Sequence, residues 1–145
     1  MCNETQVRDM ENKKKNNNGS LPCGCPGTNS KVIKRTYTLK DNDSKPVASM
    51  LKQWPVQIKL VPVNAPYFDN ANLLVAADCT AFAYGNFHNE FIRNHITLIG
   101  CPKLDEGDYS IKLTEIIKNN NIKSLTIVRM EVPCCGGIEN AAKKA

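Results

Sequence analysis

The sequence predicts an α/β fold: a small parallel sheet of about four strands flanked by helices, with a cysteine-containing loop segment on its N-terminal side. Two observations predict it. Four apolar, β-branched runs, "VQIKLVPV" (56–63), "LLVAAD" (73–78), "HITLIG" (95–100) and "SLTIVRMEV" (124–132), have the length and composition of buried strands. The last three are separated by segments of helical spacing: Phe87, Phe91 and Ile92 share one side of "NFHNEFIR", and Leu113, Ile116 and Ile117 share one side of "DYSIKLTEIIKNN". Strands that alternate with helices build a parallel sheet covered on both faces.

The elements follow in order. Residues 1–20, "MCNETQVRDMENKKKNNNGS", are polar and nearly free of large apolar side chains, so they read as a flexible tail before a single α/β domain over 21–145. "LPCGCPG" is turn-forming throughout, with prolines and glycines around Cys23 and Cys25. "KVIKRTYTL" (31–39) looks extended, and "DNDSKP" reads as a linker. Ser44 and Pro46 can open a short helix through "VASMLKQW", which Pro55 stops. The connection "NAPYFDNAN" is short for a parallel crossover, which needs about a dozen residues.

Composition limits the function. A chain of 145 residues can bury a core without staples, and no apolar run is long enough to span a membrane. The seven cysteines are an odd number and follow no stretch of signal-peptide type, so a reducing cytoplasm is expected, where clustered thiols serve metals or catalysis. The net charge of +5 draws on Lys13, Lys14, Lys15, Lys143 and Lys144 at the two ends, and nucleic acid is not an expected partner.

The cysteines supply the candidate site. In a parallel sheet everything that follows a strand lies on one edge, and there Cys79 follows "LLVAAD", Cys101 follows "HITLIG", and Cys134 with Cys135 follows "SLTIVRMEV". That edge is where open α/β sheets bind ligands. A lone cysteine is often mere core filling; cysteine after three separate strand ends is not expected from packing. Pro102, Pro133, Gly136 and Gly137 shape tight turns around them. There is no Cys-x-x-Cys pair, and adjacent Cα atoms about 3.8 Å apart make Cys134 and Cys135 poor disulfide partners. Zinc would ordinarily show two close pairs. Dispersed cysteines plus a vicinal pair suit an iron–sulfur cluster better, with Cys79, Cys101, Cys134 and Cys135 as ligands and Cys23 and Cys25 as additional or replacement ones.

Among the remaining residues, Asp78 is expected to accept a loop amide or to tune a cluster, and Lys103 and Asp105 to cap the next helix. His88 and His95 read as structural, and Trp54 and Tyr84 as packed. The sequence offers no Ser/His/Asp set, phosphate-cradling glycine loop or convincing carboxylate pair.

The stretches "LKQWPVQIKLVPVNAPYF", "LLVAADCTAFAYGNFH", "LIGCPKLD" and "VRMEVPCCGG" resemble the C-terminal region of a bacterial and archaeal family of ferredoxin-type, 4Fe-4S binding iron–sulfur proteins. The resemblance runs through "GCPG" and from Met50 to the end. It implies an N-terminal ferredoxin module, but residues 1–20 hold only Cys2, so the repeats that would bind its clusters are missing from this stretch. The expectation is one oxygen-sensitive cluster, 4Fe-4S in type, used for electron transfer or redox sensing with a redox partner such as a ferredoxin or an oxidoreductase. A homodimer is a further option. The alternatives are an enzyme using an open-site cluster or reactive thiols on a small substrate, and a zinc-stabilised interaction module.

Overall fold

The computed structural model describes residues 47–145. The expected tail, the "LPCGCPG" loop with Cys23 and Cys25, and the extended segment over 31–39 lie outside the described residues.

Three strands, β1 (Asn72–Ala77), β2 (Ile96–Gly100) and β3 (Ser124–Val128), form a parallel sheet in the order β2-β1-β3. β1 takes the centre because its sequence, "NLLVAA", is apolar on both faces: every residue after Asn72 is buried. Its register sets Leu73 opposite Ile96 and Leu125, and Val75 opposite Leu98 and Ile127. Asp78 N–H extends the ladder by donating to Gly100 O at 3.1 Å.

Parallel strands need connections that cross a face of the sheet. After β1 the chain forms the short helix α1 (Thr80–Ala83) and a π-helical turn, His88–Ile92, before β2. Phe87 and Ile92 then pack on Leu74 and Ala76. After β2 it forms α2 (Tyr109–Asn119), whose Tyr109, Leu113 and Ile116 pack on Leu73, Val75 and Leu98 of the opposite face. The terminal helix α3 (Gly136–Lys144) adds Ile138, Ala141 and Ala142 to the same core. The two crossovers thus cover opposite faces of β1.

Local sequence fixes the helix ends. Asp108 caps α2 by accepting Ser110 N–H at 2.8 Å, so the cap is neither Lys103 nor Asp105, the two expected for it. At the far end Asn120 Nδ2 donates to Ile116 O at 2.8 Å and to Val63 O at 2.8 Å. In α3, Glu139 lies in the first turn and Lys143 and Lys144 in the last, as the helix dipole favours. Lys144 Nζ reaches Asp108 Oδ2 at 2.7 Å and ties the end of α3 to the start of α2.

Two expected elements take other forms. The run over 56–63 contributes one parallel bridge, Gln57 to Ile99, instead of a strand. Ile58 N–H donates to Ile99 O at 2.9 Å, after which Leu60 and Val61 N–H both turn back to Gln57 O. The buried residues are Ile58 and Val61, three apart, which is turn spacing and not the alternation of a strand. The bridge lies beyond β2, so the chain crosses to β1 over residues 58–71, and the connection is not short.

No helix forms over 47–52. Tertiary contacts hold that stretch: Met50 N–H donates to His88 Nδ1 at 3.1 Å, and buried Gln53 docks its amide on β2, where Nε2 donates to Thr97 O and Oε1 accepts Thr97 N–H at 3.3 Å. Trp54, expected to pack, is 76% exposed, whereas Tyr84 meets Phe91 edge-on at 5.7 Å. β3 ends at Val128, four residues before the apolar run does. Among the described residues no helix is long and apolar enough to cross a membrane.

Two outcomes test this packing. A Cβ on Gly100 would lie 2.5 Å from Tyr109 Oη, so Gly100→Ala should cost about 1–3 kcal/mol in denaturant unfolding. Asp108 is held down to about 2 from an ordinary 3.8, chiefly by the Lys144 hydrogen bond and then by Ser110. A depressed carboxyl stabilises the fold above its unfolded value and loses that contribution as pH falls through its folded one. Thermal midpoints should therefore drop between about pH 4 and pH 2, and Lys144→Met should flatten that part of the profile.

Candidate functional site

All three strands release the chain at one edge. β1 ends at Ala77 and leads through Asp78 to Cys79; β2 ends at Gly100, directly before Cys101; β3 ends at Val128 and reaches Cys134 and Cys135 through a bend. The structure thus brings the four expected cysteines of the described residues to the carboxyl edge. Cys79 precedes α1 and is exposed, Cys101 and Cys134 are half-buried, and Cys135, next to the first residue of α3, is buried. Cys79, Cys101 and Cys135 carry free thiols. Cys23 and Cys25 lie outside the described residues.

The strand order places these thiols around a reversal of the sheet. The chain leaves β1 for β2 over one face and returns over the other to β3, so the segments after β1 and β3 depart toward opposite faces of the sheet. Cys79 follows the central strand and Cys134 and Cys135 follow the strand on one side of it, while Cys101 follows the strand on the other side.

A set of oxygens that the sequence did not announce lies beside the thiols. Asp105 Oδ2 accepts Tyr109 Oη–H and, at 3.5 Å, Cys101 N–H, while Asp105 N–H donates back to Cys101 O at 2.9 Å. The loop from Cys101 to Asp105 is therefore closed on itself and pinned to α2. Burial, and then its contact with Asp105, pushes the Tyr109 phenol well up, so it stays a donor. Asp78 feels Asp105 as well. Burial and then the Asp105 carboxylate raise its pKa, against a hydrogen bond from Gln57 that lowers it, and its Oδ1 is buried without a hydrogen-bond partner among the described residues. A carboxylate pair thus sits where β1 and β2 end, and the hydrogen bond that Asp78 accepts comes from the Gln57 side chain, not from a loop backbone amide.

Two glycines let this edge close up. Gly100 leaves the space that Tyr109 Oη fills, and a Cβ on Gly137 would stand 2.9 Å from Pro102 Cβ, so the loop after β2 seats against the first turn of α3. His88 and His95 lie apart from the site: His88 accepts Met50 N–H, and His95 Nδ1 is 3.0 Å from Arg93 O.

Residues 65–145, more than half of the chain, match the family described as a Rossmann-like domain. The chain belongs to that family. The Rossmann-like domain is also similar to an uncharacterized protein of Archaeoglobus fulgidus, 32% identical over 95 residues, which cover 66% of this chain and 67% of the relative. No solved structure matches the chain.

The donors of this Rossmann-like domain fit a thiophilic centre in chemical type, since cysteine thiolates are the usual ligands of iron–sulfur clusters. Their spacing is wider than one ion requires: among the described residues no group of three or more His, Cys, Asp or Glu is close enough together to hold a metal.

Tyr109→Phe should release Asp105 and loosen the 101–105 loop. Hydrogen exchange of the Leu104 and Asp105 amides, both bonded to Cys101 O, is expected to quicken by about tenfold, with the β1 amides unchanged.

Proposed function

We propose that this protein binds an iron–sulfur cluster at the carboxyl edge of its sheet and uses it for electron transfer or redox sensing with a redox partner protein. One observation carries the proposal: three parallel strands end at one edge, and each strand end leads to cysteine. Cys79, Cys101, Cys134 and Cys135 are the ligands of the described residues, and Cys23 and Cys25 are the further candidates. The resemblance of "AADC", "CPKLD" and "EVPCCGG" to iron–sulfur proteins supports the same chemistry. So does the partly buried setting of Cys101 and Cys135, which limits solvent access to a bound centre.

A second reading is favoured by Asp78, Asp105 and Tyr109. Protonatable oxygens beside Cys79 and Cys101 suit an enzyme that moves a proton to or from a small redox-active substrate.

Purification without oxygen tests the proposal. The protein is expected to be brown, with a broad absorption band near about 400 nm, and single Cys→Ala changes at 79, 101, 134 and 135 should each bleach it. A colourless protein holding zinc would overturn the cluster, and a band that survives all four changes would overturn the ligands. Cys23→Ala and Cys25→Ala report separately whether the earlier pair takes part.

A further inference from the structure

Beside the start of α2, Ile58, Tyr109 and Ile111 wall a cavity of about 260 Å³, which Lys112 also lines. Ile58 and Tyr109 are buried and Ile111 is 69% exposed, so the wall is apolar from its floor outward. Lys112 is half-buried, and its Nζ donates to Lys59 O at 2.7 Å. That acceptor is a neutral carbonyl. Among the described residues the ion pairs use Arg129, Lys143 and Lys144, and none uses Lys112. Glu106 and Asp108 line the same cavity, but Asp108 is engaged by Lys144 and neither carboxylate pairs with Lys112. An ammonium with apolar walls and no counter-ion is easily discharged. Burial accordingly pushes Lys112 below the usual lysine range, which enlarges its share of neutral amine, the nucleophilic form.

We infer that Lys112 is a site of N-acylation by short-chain acyl thioesters, with the acyl chain seated in the cavity walled by Ile58, Tyr109 and Ile111. The Nζ lone pair attacks the thioester carbonyl, the C–S bond breaks, and the proton that nitrogen loses ends on the departing thiol. The product keeps one N–H on Nζ, enough for the bond to Lys59 O. It also exchanges a desolvated charge for an apolar chain, and apolar walls favour that chain over water. A solvated lysine gains neither advantage. The cysteines of the carboxyl edge can accept an acyl group as well, but a thiol reductant in excess takes it back from sulfur, whereas the amide on Lys112 persists. The inference does not depend on a cluster being bound.

Incubation of the full chain with S-butanoyl-N-acetylcysteamine in excess thiol reductant at neutral pH, followed by peptide mass spectrometry, tests it. Lys112 should be acylated about tenfold faster than the exposed Lys118 and Lys123. With the acetyl thioester in place of the butanoyl one, that lead should shrink. Ile111→Ser changes an exposed side chain of the cavity wall. It should remove the butanoyl preference and leave the rates at Lys118 and Lys123 as they were. A Lys112 rate no faster than those of Lys118 and Lys123 would overturn the inference. So would equal leads for the two acyl groups, or a butanoyl preference that Ile111→Ser leaves intact. Circular dichroism of the variant separates a lost cavity wall from lost folding.

Discussion

The structure depends on the hydrogen-bonded register of β1 between two parallel neighbours. A strand so placed has no free edge, and here it has no free face, because each connection to its neighbours must pass over the sheet and brings its own apolar side chains. Phe87 and Ile92 cover one side, and Leu113, Ile116 and Ile138 the other. The layered core is thus a consequence of strand direction. So is the location of the chemistry, because strands that run together also end together.

What gathers at those ends is more than sulfur. Asp78 and Asp105 share the junction of β1 and β2 with the phenol of Tyr109, and burial there, with the Asp105 carboxylate beside it, raises the pKa of Asp78. Gly100 makes this possible, since any side chain on it would displace the phenol. An anionic centre in the same place would meet Asp78, whose burial favours its protonated form.

Much of this was legible beforehand. The three strands were plain because each is a compact apolar run, and α2 was plain because Leu113 and Ile116 recur at helical spacing. The shared edge of Cys79, Cys101, Cys134 and Cys135 followed from parallel topology alone. The failures were of another kind. Residues 56–63 carry strand-like composition, yet their buried members fall three apart, and the turn at Gln57 prevails. The stretch before Pro55 looks helical in isolation, but His88 and Thr97, distant in sequence, capture its backbone and Gln53. The Asp78 and Asp105 pairing is a contact between two strand ends, and neither residue signals the other locally. Cys23 and Cys25 remain expectations from the sequence.

Gly137 has a mechanical consequence. With Pro102 seated where a Cβ would be, the turn carrying Cys101 and the helix start carrying Cys135 mesh like two gear teeth. The loop after one outer strand and the helix after the other are thereby in direct contact. Cys79, the residue before the four-residue helix α1, is outside that contact and is the exposed member of the set.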